Sequence, residues 1–132
     1  MHTGSCLCGA VKYEIRGEFG PAYFCHCSNC RKASGSAFAA NVVVDADDFV
    51  LVQGEASLRS YRSSEKLQRL FCADCGSPIA SRRDDVAQVR VRLGTLDTPL
   101  ATGPGAHIFV ASKADWFQIH DALPQHSERP QG

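Results

Sequence analysis

The sequence lacks the features that mark a nucleic-acid-binding or membrane protein. It has no excess charge of either sign, since 14 lysines and arginines balance 14 aspartates and glutamates among 132 residues, and this argues against binding driven by a basic surface. The longest mainly apolar stretch covers only residues 37–44, whereas a bilayer-spanning helix needs about 20. The first residues lack the cationic start and apolar segment of a signal peptide. We therefore expect a cytoplasmic protein with no nucleic-acid or membrane partner.

Internal repeats, low-complexity segments and linkers are also missing. The length of the chain fits one domain, because a domain typically has about 150 residues. A hydrophobic content of 44% and a charged content of 21% are ordinary for a globular protein. We expect one domain over residues 1–124, followed by a loose polar tail over residues 125–132.

Short strand-like segments follow one another at intervals of about 8–12 residues. Residues 10–16 and 86–93 alternate apolar and polar side chains, as half-buried strands do. Further candidate strands are residues 38–44, 49–52, 58–62, 67–71, 78–81 and 107–110. Helix is scarce, with one short turn expected after Ser28 and another over residues 114–123. The sequence therefore predicts a mainly β fold of two packed antiparallel sheets.

Cysteine is abundant, and it is clustered. The seven cysteines are Cys6, Cys8, Cys25, Cys27, Cys30, Cys72 and Cys75. An odd number cannot all form disulfides within the chain, and in a reducing cytosol clustered cysteines more often bind metal or take part in chemistry.

The first and last clusters together offer four sulfur ligands. Cys6 and Cys8 point to the same face of an extended chain, and Cys72 and Cys75 form a C-x-x-C turn followed by Gly76, which permits a positive φ. A structural zinc site takes four ligands in a closed tetrahedron. Such a site would join the first strand to the middle of the chain, across a long loop.

The middle cluster offers three more sulfurs within six residues. Cys27 and Cys30 lie on one face if a helical turn starts there, and the neighbouring Arg31 and Lys32 favour thiolates. Three protein ligands leave one zinc position open, as in catalytic zinc sites. The seven cysteines thus divide into four and three, which predicts two zinc ions per chain.

Other interpretations of the same residues stay open at this point. The seven cysteines can be buried or redox-active without metal, or Cys27 and Cys30 can join Cys72 and Cys75 in a single zinc ribbon. Ser28, Asn29, a water molecule or His26 can complete the three-cysteine site, although an extended segment turns His26 away from its cysteine neighbours. His107 is expected at the core or its rim. Trp116 and Phe117 are expected in the core.

Several motifs together resemble the glutathione-dependent formaldehyde-activating enzyme family, whose domain a centromere protein shares. The segments that carry this resemblance are residues 4–9, 25–32, 34–36 and 71–77, and an ending made of residues 107–110 with Ser112, Trp116, Asp121, Leu123 and Pro124. The resemblance spans about residues 4–124, and the order of the seven cysteines makes it specific for the family.

The resemblance implies a fold, a metal complement and a reaction. The fold would be a two-sheet β-tent. Cys6, Cys8, Cys72 and Cys75 would hold a structural zinc, while Cys25, Cys27 and Cys30 would hold a catalytic one. The reaction would be that of a carbon–sulfur lyase, which reversibly joins glutathione and formaldehyde. Candidate cations for the carboxylates of glutathione are Arg31, Lys32, Arg59, Arg62, Lys66 and Arg69.

Two other functional classes compete with this hypothesis. A non-catalytic zinc-binding interaction module would have the same cysteines, but a chromatin role would call for a basic extension. A zinc enzyme of the methionine sulfoxide reductase type would need a redox cysteine outside the metal sites. The division into four and three assigns all seven cysteines to metal sites and leaves none for that role.

Overall fold

The computed structural model describes residues 1–130, and the mainly β fold with two packed sheets is confirmed. The strands of this range are β1 (His2–Ser5), β2 (Lys12–Ile15), β3 (Ala22–Cys25), β4 (Ala39–Asp45), β5 (Phe49–Gln53), β6 (Leu58–Arg62), β7 (Leu67–Cys72), β8 (Pro78–Arg83), β9 (Gln88–Arg92) and β10 (Ala106–Ile108). One short helix, α1 (Ser28–Ser34), follows β3, and single 3-10 turns cover Ala46–Asp48, Leu93–Thr95 and Val110–Ser112. No helix of residues 1–130 has the length and apolarity needed to cross a membrane.

The strands form a three-stranded sheet in the order β1-β2-β5 and a seven-stranded sheet in the order β10-β3-β4-β9-β8-β7-β6. All the strand pairs are antiparallel except β10 with β3, which is parallel. The prediction of purely antiparallel sheets is therefore wrong at this one edge. Because a parallel partner needs a long crossover, β10 reaches β3 only after the chain has built the rest of the sheet.

The hydrophobic core lies between the two sheets. The small sheet contributes Tyr13 and Ile15 from β2, and the large sheet contributes alternate residues such as Val42, Val89 and Val91. Since side chains alternate across a strand, the residues between these valines lie on the opposite face of the large sheet. That second face carries the site described below.

The structure differs from the sequence predictions at three places. Strands β1 and β3 were not predicted, because β1 has a polar, glycine-containing sequence and β3 is an apolar run too short to show a period. The helical turn expected over residues 114–123 does not form. Instead the side chain of Lys113 donates to the carbonyl oxygens of Ala114 and Phe117, and the segment extends to bring Asp121 against His107.

The C-terminal segment is held more tightly than its composition suggests. A loose tail was expected from Gln125, but the backbone N–H groups of Phe109, Val110 and Ala111 donate to the carbonyl oxygens of Glu128, His126 and Ser127. The segment therefore packs beside β10. Gln131 and Gly132, the end of the expected tail, lie outside the described residues.

Candidate metal centres

Four cysteines from two distant parts of the chain meet at one point. Cys6 and Cys8 follow β1 of the small sheet, while Cys72 ends β7 of the large sheet and Cys75 lies in the next turn. Their sulfur atoms all lie within 4.8 Å of one another. The cluster therefore lies where the two sheets meet, and a metal ion bound there would fasten them together.

The spacing of these sulfur atoms fits a tetrahedral metal ion. A tetrahedron with zinc–sulfur bonds of about 2.3 Å has sulfur atoms about 3.8 Å apart. The Sγ atom of Cys8 lies 3.7 Å from that of Cys6 and 3.9 Å from that of Cys72. The turn is shaped by Gly76, whose φ of 79° lies in the left-handed region, as the C-x-x-C-G pattern predicts.

The other three cysteines come from one continuous segment. Cys25 ends β3, Cys27 caps the N-terminus of α1 and Cys30 lies in the first turn of that helix. Their sulfur atoms also lie within 4.8 Å of one another, and the backbone N–H of Cys30 donates to the Sγ atom of Cys27 at 3.3 Å. The two clusters are separate, so the alternative single zinc ribbon of Cys27 and Cys30 with Cys72 and Cys75 is wrong.

The environment of this cluster favours a thiolate at Cys27, whereas the neighbouring thiols raise the pKa of Cys25. The pKa of Cys27 is held far below its ordinary value because the thiols of Cys25 and Cys30 donate hydrogen bonds to its sulfur, with Arg69 adding a positive charge. Both terminal nitrogens of Arg69 lie 3.9 Å from the Sγ atom of Cys30. The Nε of Arg69 donates to the Ser63 hydroxyl at 2.9 Å, and this bond orients the guanidinium.

The three-cysteine cluster lines a cavity of about 260 Å³ on the outer face of the large sheet. Tyr23, Asn29 and Phe109 also line it, together with Arg69, Arg83, Arg90 and Arg129. Of the six cations proposed from the sequence, only Arg69 lines this cavity. Arg83, Arg90 and Arg129 were missed. Arg90 alternates with valines in β9 and so looks like an ordinary solvent-facing residue, while Arg83 and Arg129 stand in polar stretches that carry no pattern pointing to a site.

The two histidines are joined to each other rather than to either sulfur cluster. Nε2 of His26 lies 2.8 Å from Nδ1 of His107, and Nε2 of His107 lies 2.9 Å from a carboxylate oxygen of Asp121. His26 thus turns away from its cysteine neighbours, and the alternative in which it is a metal ligand finds no support in this arrangement. His107 is 2% exposed and lies in the core, as expected.

The two neighbouring aromatic residues behave differently from each other. Phe117 is half-buried and packs against Phe38, with ring centroids 5.7 Å apart. Trp116, which was expected in the core, is 68% exposed. The two adjacent side chains point in different directions, and only that of Phe117 reaches the interior.

Comparison with known proteins shows where this chain belongs. A family model described as "Glutathione-dependent formaldehyde-activating enzyme" matches residues 1–112. A Halomonas elongata protein named "Putative glutathione-dependent formaldehyde-activating enzyme" is 32% identical over an alignment of 127 residues, and the match covers 88% of this chain and 79% of that protein. A Schizosaccharomyces pombe protein named "Uncharacterized lyase C29B12.13" is 30% identical over 78 residues, which cover 59% of this chain and 55% of that protein.

A solved structure has the same fold. The crystal structure of a Rhodobacter sphaeroides protein matches with a TM-score of 0.63 and 27% identity, covering 75% of this chain and 91% of that one. The family match covers both cysteine clusters, and the similar fold agrees with it. The chain therefore belongs to the glutathione-dependent formaldehyde-activating enzyme family.

Proposed function

We propose that this protein is a zinc-dependent carbon–sulfur lyase that reversibly joins a small thiol, such as glutathione, to formaldehyde or a similar aldehyde. In the forward direction the S–H bond of the thiol adds across the aldehyde C=O, which forms a C–S bond and an O–H bond. In the reverse direction the C–S bond breaks and the hydroxyl proton returns to the sulfur. The family of the chain and the names of its relatives support this reaction.

One observation carries the proposal. Three sulfur atoms from a single segment converge within 4.8 Å on the wall of a cavity, and no fourth protein sulfur joins them in residues 1–130. The four-cysteine cluster is complete and does not line that cavity. The two clusters thus suit different roles: Cys6, Cys8, Cys72 and Cys75 would hold a structural zinc, and Cys25, Cys27 and Cys30 would hold a catalytic one.

The residues around the three cysteines prepare the site for this role. Zinc bound there would supply a Lewis acid that polarises a carbonyl oxygen and favours the thiolate form of a sulfur ligand. Arg69 offsets the negative charge of the clustered sulfurs through its contact with Cys30. The cap formed between Cys27 and the Cys30 N–H holds two of the sulfurs at the start of a rigid turn. The cavity brings both reactants together, which converts a bimolecular step into a local one.

The reaction can be tested without a coupled assay. We would measure by NMR exchange spectroscopy how fast formaldehyde hydrate and S-hydroxymethylglutathione interconvert, with zinc-loaded protein and without it. We expect wild-type protein to accelerate the exchange and Cys27→Ser or Cys30→Ser to return it to the spontaneous rate. Ser64→Ala, at an exposed serine, serves as the control. A fully metal-loaded wild type that leaves the exchange unchanged would favour the non-catalytic binding module.

A further inference from the structure

The outer face of the large sheet carries a row of charged and polar residues beside the three cysteines. In β9, Val89 and Val91 enter the core, so Arg90 and Arg92 lie on the opposite face. Ser81 of β8 pairs with Arg90, and Arg69 of β7 pairs with Ser81. Directly paired residues share a face, so the three form one row that leads toward Cys30.

Arginines rather than carboxylates line the cavity over this row. Four arginines line it, and no aspartate or glutamate of residues 1–130 does so. The sulfur cluster attracts one of these charges, since Arg69 contacts Cys30. Within residues 1–130, no sulfur atom lies within hydrogen-bond distance of the other three guanidinium groups. A cavity of this character favours an anionic ligand.

Most of the arginines already have partners. Arg83 forms an ion pair with Asp85 at 3.1 Å, and Arg129 is exposed and lies over the Phe109 ring, 5.7 Å from its centroid. Arg92, which does not line this cavity, donates to Asn41 at 2.6 Å and to Ser81 at 3.3 Å. These contacts hold each side chain to the protein.

Arg90 is the exception. Its guanidinium lines the cavity, is half-buried and makes no hydrogen bond or ion pair with any residue of the described range 1–130. Burial lowers the pKa of Arg90, which shows that the surroundings penalise its charge. A guanidinium stays charged in proteins, so a partly desolvated one without a partner costs free energy that a bound anion can offset.

We propose that Arg90 is the specificity-determining residue of this site and binds a carboxylate of the thiol substrate while the substrate sulfur faces Cys25, Cys27 and Cys30. This inference rests on the proposed function. A guanidinium matches a carboxylate with two parallel N–H···O bonds, and it does so more specifically than a lysine. Asn29 and Tyr23, which line the same cavity, offer further polar groups to such a ligand. The site would accordingly select carboxylate-bearing thiols over neutral ones.

A binding experiment tests Arg90 independently of turnover. We would titrate zinc-loaded protein with glutathione and with its diethyl ester, in which both carboxylates are blocked, by isothermal titration calorimetry at low salt and without oxygen. We expect wild type to bind glutathione more tightly than the ester. We expect Arg90→Gln to weaken glutathione binding about ten- to hundredfold, the range for a lost charge-assisted hydrogen bond, and to change ester binding little.

Two further variants make the result specific. Arg90→Lys keeps the charge, and it should retain part of the preference for glutathione over its ester. Arg82→Gln removes a positive charge from an exposed position of the neighbouring strand on the other face of the sheet, and it should bind both ligands as wild type does. Circular dichroism would show that each variant is folded.

The outcomes separate this proposal from the proposed reaction. Equal weakening of both ligands by Arg90→Gln, unchanged glutathione binding, or no glutathione binding by wild type would each overturn the role of Arg90. If the carboxylate preference depends on Arg90 but formaldehyde exchange is not accelerated, the lyase reaction is wrong and the anion site stands. If exchange is accelerated but Arg90→Gln binds glutathione like wild type, the proposed reaction stands and the proposed role of Arg90 is wrong.

Discussion

The imidazole rings of His26 and His107 share a 2.8 Å hydrogen bond although 81 positions separate them in the chain. Both rings are almost completely buried, and Phe24, Phe38 and Phe117 surround them. Asp121 accepts a hydrogen bond from Nε2 of His107, because a carboxylate can only accept. Since His26 lies between Cys25 and Cys27, this chain of three side chains ties the three-cysteine segment to β10.

Loss of His107 should destabilise the fold. In His107→Ala, Nε2 of His26 stays buried and loses its partner, so we expect the free energy of unfolding to fall by about 2 kcal/mol or more. Urea unfolding measures this difference. His120→Ala removes an exposed imidazole and is the matched control. Equal stability of the two variants would show that the buried bond contributes nothing.

The contact between His107 and Asp121 predicts a pH-dependent contribution to stability. The hydrogen bond from His107 lowers the pKa of Asp121 below its ordinary 3.8. A carboxyl group with a lowered folded pKa stabilises the protein above its unfolded pKa, and this contribution is lost as the pH falls through the folded value. We expect Asp121→Asn to be less stable than wild type near neutral pH, with the difference narrowing below about pH 4.

Thermal unfolding of both proteins from neutral to acidic pH measures that difference. Asp115→Asn removes the same charge from another exposed position and should track wild type throughout. A stability difference for Asp121→Asn that stays constant down to the lowest pH would contradict the prediction.

The two cysteine clusters should respond differently to the loss of one ligand. Cys75→Ser opens a site that fastens the two sheets, and the binding energy of such a site is part of the folding energy. We expect its free energy of unfolding to fall by about 3 kcal/mol or more, which is roughly 10 °C in melting temperature for a chain of this size. Cys30→Ser changes a site within one local segment and should melt close to wild type.

Melting curves of the metal-loaded proteins would show the contrast. Because Cys30 also contacts Arg69, the comparison should be repeated with Cys27→Ser, which leaves that contact in place. Similar large losses in all three variants would contradict the assignment of separate structural and catalytic roles.

Metal content should follow the division into four and three cysteines. We expect two zinc ions per chain in protein purified with zinc present, and one in Cys27→Ser. Inductively coupled plasma mass spectrometry with amino-acid analysis gives the ratio. A single zinc in metal-replete wild type would mean that only one of the two clusters binds the ion.

Local patterns in the sequence predicted much of this molecule. Eight of the ten strands of residues 1–130 were located from short apolar or alternating segments between turns, and alternation itself identified β2 and β9. The spacing of the cysteines separated the C-x-C and C-x-x-C-G pairs from the middle cluster, since the positions of neighbouring cysteines are set by local backbone geometry. The pattern failed at β1 and β3, which are four residues long and carry no apolar period.

Which residues line the cavity depends on how distant strands pack. Arg90 and Arg92 occupy polar positions of an alternating strand, and alternation cannot tell a face that meets water from one that lines a cavity. Likewise nothing near His26 in the sequence indicates that its partner is His107, because the parallel pairing of β10 with β3 joins parts of the chain that share no local pattern. Local patterns were enough to place most of the strands and the pairs of neighbouring cysteines. The packing of distant strands determined which charges and rings they meet, since those contacts depend on the path of the whole chain.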